Sequence, residues 1–260
     1  QKLLLFDITT NGLSNKTEIL TTNSPREIVV IGDYAYFGSW DPDYSIYQTN
    51  PGDINVLNLK TSEIEKIIQV DIMPEGLLYY NNYLWVANSG SNTISKIDII
   101  SNTLVENIEV GEGPVNLINH NNEIYVSRTY YDTDWNTHHA SSRINSDNIT
   151  LINFEYGSGV ACGGSIIKYN NQIYRSYDGG LLPLNQDLSI NISGRIGDFN
   201  QPENNKFVYH IEIINENLWF SIRDGNNPGE IRIIDESSNE IARYIVGPNP
   251  GDFAYWHQAN

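Results

Sequence analysis

One short phrase returns five times along this chain of 260 residues, and it constrains the fold more than any single residue does. The copies are EIVVIGDYAYFGS from Glu27, GLLYYNNYLWVAN from Gly76, NLINHNNEIYVSR from Asn116, SIIKYNNQIYRSY from Ser165 and HIEIINENLWFSI from His210. Each reads as an apolar strand, a tight polar turn and a second strand that carries an aromatic ring. Successive copies start about 40 to 50 residues apart, the length of one four-stranded repeat unit. Such a unit cannot bury its apolar faces alone, so neighbours must stack.

Aligned, the copies place an aromatic in one column: Tyr36, Trp85, Tyr125, Tyr174 and Trp219. Two residues on, and so on the same strand face, stand Gly38, Ala87, Ser127, Ser176 and Ser221. A ring beside a small residue suits stacked sheets, because the ring of one fills the space its neighbour leaves. A second column, at the predicted ends of third strands, holds Asp7, Asn58, Asp98, Asn153, Asn185 and Asp235. Asp and Asn accept hydrogen bonds from backbone amides just ahead and so start turns.

Six turn-makers predict an all-β, six-bladed β-propeller, one domain over residues 1–260 with no Pro- or Ser-rich linker. The stretch GPNPGDFAYW matches the start of the repeat, with Asp252 in its register, and the first twenty residues supply only a third and a fourth strand. The closing blade is therefore expected to be shared between the N- and C-termini, with residues 252–256 beside residues 2–8, which removes an exposed sheet edge.

Composition narrows the functions. Thirty-two acidic against 15 basic residues give a formal net charge of −17. That opposes nucleic-acid binding, which needs cationic side chains on phosphates, and docking to an anionic membrane. It suits a soluble exported protein, or a site for cations or basic ligands. No stretch is long enough to span a bilayer, and the apolar start KLLLF is too short for the core of a signal peptide. The single cysteine, Cys162 in GVACGG, excludes an internal disulfide framework and reads as a spectator. Richness in Asn, Ile and Tyr hints at an AT-rich bacterial genome.

Residues 76–117 hold Trp85-Val86-Ala87-Asn88, Ser91-Asn92-Thr93-Ile94, Lys96-Ile97-Asp98 and Val110-Gly111-Glu112-Gly113-Pro114. This stretch resembles the YVTN type of β-propeller repeat found in bacterial surface-layer and periplasmic proteins. The close match covers about one blade; Tyr125-Val126-Ser127 and Tyr174-Arg175-Ser176 depart from it. The resemblance implies a secreted, periplasmic or cell-surface scaffold, but the motif residues are scaffold residues and imply no catalytic or ligand position.

Two segments between second and third strands are longer than the SGSN link: Ser39–Gly52 and Thr129–Asn148. Long loops on a rigid scaffold are often functional. Both mix rings and acids, with Trp40 and Tyr44 in one and Tyr131, Trp135, His138 and His139 in the other. The rings either pack these loops down or present flat faces to a sugar, a small molecule or a protein. Glu75, Asn116 and His210 are expected to ring the channel mouth as the floor of the same site. Oxygen ligands there are of the kind that hold Ca²⁺; a hydrated channel of paired charges is the favoured reading. His138-His139 carries no zinc-ligand spacing, and no phosphate loop or nucleophile elbow is present. The leading expectation is a monomeric secreted or surface binding propeller with its site on the long-loop face. The alternatives are a metal-dependent lactonase- or lyase-like enzyme at the channel mouth and a purely structural surface-layer protein. Cofactor and metal are left open.

Overall fold

A computed structural model of the chain describes residues 2–9, 12–21, 23–41, 49–145, 151–158, 164–225 and 227–251. Tyr44, Cys162 and the expected closing strand at 252–256 lie outside the described residues. Regular structure among these residues is β-strand apart from two single 3₁₀ turns, Ile192–Gly194 and Pro202–Asn204. Six antiparallel sheets are present, and the chain divides into two compact units, Gln1–Asn119 and His120–Ala259.

In the first unit β1 (Lys2–Thr9) pairs with β2 (Gly12–Leu20) in a two-stranded sheet among the described residues. Two full sheets follow. One is β3 (Ser24–Ile31), β4 (Tyr34–Trp40), β5 (Pro51–Asn58) and β6 (Glu63–Ile72). The other is β7 (Pro74–Tyr80), β8 (Tyr83–Asn88), β9 (Thr93–Asp98) and β10 (Thr103–Glu109). The sheet that follows runs β11 (Pro114–His120), β12 (Glu123–Tyr131), β13 (Thr137–Asn145) and β14 (Leu151–Ser158). The second unit also holds a three-stranded sheet, β15 (Ile166–Tyr169), β16 (Gln172–Tyr177) and β17 (Gly180–Pro183). The last sheet is β18 (Phe207–Ile214), β19 (Asn217–Asp224), β20 (Asn227–Ile234) and β21 (Glu240–Val246).

The five copies of the phrase are five hairpins whose turns are written in the sequence. Asn81-Asn82, Asn121-Asn122, Asn170-Asn171 and Asn215-Glu216 all have positive φ at both positions. Both central residues of a type I′ turn need that backbone, and its twist matches the flanking strands. Asn is the side chain that tolerates it best after Gly.

Second strands are buried on both faces. Tyr36 packs with Ile54, Val56, Ile68 and Val70 of its own sheet against Leu77, Leu84, Val86 and Ile97 of the next. Ala35 and Phe37, on the other face of β4, meet Ile19 of β2. The stacking repeats in the second unit, where Tyr169 and Leu181 join Ile211, Leu218, Phe220 and Ile222. In the ring column Tyr36, Trp85 and Tyr125 are buried, while Tyr174 and Trp219 are half-buried. Their small partners Gly38, Ala87, Ser127, Ser176 and Ser221 are all buried. Close stacking also explains Gly76: a Cβ there would stand 2.3 Å from the Val115 carbonyl oxygen.

The turn column holds in part. Asn58 Oδ1 accepts from the amides of Lys60 and Thr61 at 2.8 and 3.2 Å. Asp98 Oδ1 accepts from Ile100 and Ser101, both at 2.8 Å, and Asp235 Oδ1 from Ser237 and Asn239 at 2.9 and 2.8 Å. Asn153 breaks the pattern: it lies inside the fourth strand β14, opposite Ser142, and the third strand ends at Asn145. The cause is a second correction. Thr129–Asn145 is not a loop but the long hairpin of β12 and β13, in unbroken register from Glu123↔Asn145 to Tyr131↔Thr137. The residues that turn it are Asp132 to Asn136.

Candidate functional site

The expected site residues that are described fall into two groups, one in each unit. In the first unit Trp40 ends β4 half-buried, and its indole N–H donates to the Pro74 carbonyl at 3.1 Å. The Arg26 guanidinium carbon lies 4.0 Å from the centre of the Trp40 ring. Arg26 also forks onto Glu75, Nε to Oε2 at 3.0 Å and Nη2 to Oε1 at 2.6 Å. Ring, cation and carboxylate thus form one stack tying β3 and β4 to β7. Trp40 is thus engaged by Arg26 and the Pro74 carbonyl, and the Glu75 carboxylate by Arg26. Asn116 is half-buried in β11.

In the second unit the tip of the β12–β13 hairpin carries the other rings. Tyr131 and Trp135 are 59% and 54% exposed, with ring centres 6.2 Å apart and planes tilted by 50°. The turn beneath them is held by Asp132. Its Oδ1 accepts from the amides of Asp134 and Asn136, both at 2.9 Å, and Oδ2 accepts from Asn136 Nδ2 at 3.0 Å and His138 Nε2 at 2.9 Å. The hydrogen bonds from His138 and then Asn136 hold its carboxyl well below the usual carboxylate range. The backbone closes the same turn, Trp135 N to Asp132 O at 3.0 Å and Asp132 N to Asn136 O at 3.1 Å. His138 stacks on Tyr130 with ring centres 5.3 Å apart, and the Tyr130 hydroxyl donates to Glu155 Oε2 at 2.7 Å. Glu155 also pairs with buried Arg128. The tip is a platform braced by side-chain and backbone hydrogen bonds.

Trp135 sits on this platform at φ +63°, in the left-handed region. That backbone costs an L-residue about 1–2 kcal/mol and is visited mainly by Gly, Asn and Asp. Two other turns in the same unit use the same template. In the turn from Asp235 to Asn239 the left-handed position is Ser238, φ +64°, and in that from Asn185 to Ser189 it is Leu188, φ +68°. Leu188 is fully buried. Sequence reasoning singled out Trp135 but missed its slot; the spacing Asp-x-x-x-Asn, shared with Asp235, was the available signal.

His210 is half-buried in β18, its Nε2 3.6 Å from Glu212 Oε2. No group of three or more His, Cys, Asp or Glu side chains among the described residues is placed to hold a metal. Sequence reasoning also missed buried Glu230. Burial opposes its charge, but bonds from Lys206 at 2.8 Å, Arg243 at 2.6 Å and Arg232 hold its carboxyl down at about 2. That cluster is saturated within the fold.

Stacked antiparallel four-stranded sheets built from one repeated hairpin define the class, and known structures agree on it: the chain has the β-propeller fold. No protein-family pattern matches the sequence, and no curated protein matches it. Among solved structures it is similar to the Myceliophteria thermophila Cps50 (Swd1) β-propeller domain, at 10% identity and a TM-score of 0.59 over 86% of this chain and 72% of that one. It is also similar to Kuenenia stuttgartiensis hydrazine synthase, at 13% identity and 0.58 over 89% of this chain and 68% of that one. Dihydro-heme d1 dehydrogenase NirN is a third, at 13% and 0.57, where 96% of this chain covers 54% of the other. Identities this low establish the fold alone. No helix among the described residues is long and apolar enough to cross a membrane.

Proposed function

We propose that the chain is a binding propeller that presents a ligand or partner site at the tip of the β12–β13 hairpin. One observation carries this reading. Trp135 holds a bulky, half-exposed side chain on a left-handed backbone, in a slot that Ser238 and buried Leu188 fill in the sister turns, and it stands beside exposed Tyr131. Strain of that kind persists where it serves function. Exposed Trp and Tyr, apolar on the face and polar at the rim, are the side chains that anchor sugars and protein partners. The stacked Trp40 and the Arg26-bound Glu75 are better placed as scaffold than as walls and floor of that site.

The finer description belongs to the same proposal. The chain is read as a single six-bladed domain of the YVTN type, its closing blade built from both termini. The six sheets and the five-copy repeat support this reading. Export to a bacterial surface or periplasm, as a monomer, rests on the acidic composition and the repeat resemblance. The test compares the protein with Tyr131→Ala/Trp135→Ala on glycan and peptide arrays. A recognised class that the double variant no longer retains is the expected result. Identical binding profiles for the two proteins would sink the reading.

A further inference from the structure

Away from the hairpin tip, the turn ends of two neighbouring sheets in the second unit enclose a cleft of ≈ 430 Å³ with a mostly polar lining. That volume lies within the span of small-molecule sites, about 300–1,000 Å³. Five side-chain amides line it: Asn121, Asn171, Gln172, Asn185 and Gln186. Three of them are anchored, Gln172 Nε2 on the Leu184 carbonyl at 2.8 Å, Asn185 Nδ2 on Ser189 Oγ at 2.9 Å and Asn121 Nδ2 beside His120 Nε2. The wall is a coupled trio. Tyr125 OH donates to Glu123 Oε2 at 3.1 Å, Arg143 Nε lies 3.3 Å from Glu123 Oε1, and the guanidinium sits 5.7 Å from the Tyr125 ring centre. His120 completes the lining, its Nε2 3.0 Å from Asn121 Nδ2; its buried Nδ1 meets no hydrogen-bond partner among the described residues.

The chemistry of this lining selects its ligand. Each side-chain amide offers a donor and an acceptor at one place, which matches a hydroxyl group that both gives and takes. The one carboxylate and the one guanidinium of the lining are paired with each other, so neither a full anion nor a full cation meets an unopposed partner. The lining is more polar than apolar, so a flat apolar ligand finds little wall. We infer that the cleft is a second binding site, independent of the hairpin tip, for a neutral polyhydroxylated ligand of mono- or disaccharide size.

Saturation-transfer NMR tests this with free glucose, galactose, mannose, N-acetylglucosamine, maltose and cellobiose as probes, and acetate and spermidine as charged controls. The diagnostic variant is Asn121→Gly/Asn171→Gly/Gln186→Ala. Both asparagines stand at positive φ, +48° and +61°, where glycine keeps the turn, and Gln186 is exposed. At least one saccharide should bind the protein, weaken at least tenfold in this variant at an unchanged melting midpoint, and bind Tyr131→Ala/Trp135→Ala as before. The inference is overturned if no saccharide binds, if the cleft variant binds as tightly as the parent, or if only a charged control binds. Loss in the hairpin variant alone would overturn it too, and would move the saccharide to the hairpin tip.

Discussion

Replacing Trp135 by alanine and, separately, by glycine splits backbone strain from ring contact at one position. The left-handed backbone at φ +63° costs any residue with a Cβ about 1–2 kcal/mol. Alanine keeps that cost and removes the contact with Tyr131, so Trp135→Ala should lose about 0.5–1 kcal/mol, the low end for an exposed aromatic pair. Glycine loses the same contact and about 0.5–1 kcal/mol in chain entropy, but it relieves the strain. Trp135→Gly should therefore stand about 1 kcal/mol above Trp135→Ala, close to the parent. Urea unfolding followed by far-UV circular dichroism resolves such a gap when both variants share one m-value. An alanine variant as stable as the glycine variant, or more so, would refute the reasoning. The ring would then sit on a relaxed backbone, and the argument that it is retained for binding would lose its support.

Other expectations concern the scaffold. Trp85 is only 1% exposed and its indole N–H reaches the Tyr80 carbonyl at 3.3 Å, so Trp85→Ala should cost about 3–5 kcal/mol in the same assay; a loss below about 1 kcal/mol would show the ring column is not core. Gly76→Ala drives a methyl against the Val115 carbonyl and should cost about 1–3 kcal/mol as overpacking, whereas an unchanged midpoint would deny the close approach of β7 and β11. The Glu230 carboxyl is held at about 2 against an ordinary 4.5, so its contribution is fully present above about pH 4.5 and is lost as pH falls toward 2. The stability of Glu230→Gln, measured by denaturant titration at several pH values, should therefore vary less across that window than the parent's, and parallel profiles would contradict the assignment.

Much of the scaffold was legible because it is local. The Asn-Asn pairs dictate two-residue turns by backbone preference alone, and alternating rings and small residues follow from period-two strands. The β13 strand was not legible. THHASSRIN carries no apolar alternation, because its buried positions are a consecutive, mostly polar run, His139, Ala140, Ser141 and Ser142, followed by Ile144. Its strand character comes from pairing with β12 and β14, which no local pattern announces. Reading it as a loop moved the third-strand end from Asn145 to Asn153. The Trp40–Arg26–Glu75 stack was hidden for a related reason, since Arg26 and Glu75 are 49 positions apart and meet only when sheets stack. On the binding side, the exposure of Tyr131 and Trp135 needed the hairpin geometry, and the cleft needed the stacking of two sheets.

What remains after the requirements of the fold are subtracted is the better guide to function. The same five-residue turn is built three times in the second unit, and its left-handed slot shows what the turn itself needs. Ser238 fills it with a small polar side chain, and Leu188 fills it with a chain directed into the core. Trp135 does neither: it is a large aromatic and 54% exposed. Asp132 meanwhile fixes the turn with bonds that do not involve the indole, so the platform is specified without the ring it carries. The buried Glu230 cluster gives the contrast, because every cation there is answered by a carboxylate and the whole serves the sheet. Trp135 and Tyr131 together, two rings more than half exposed at the tip of one hairpin, therefore carry the binding proposal.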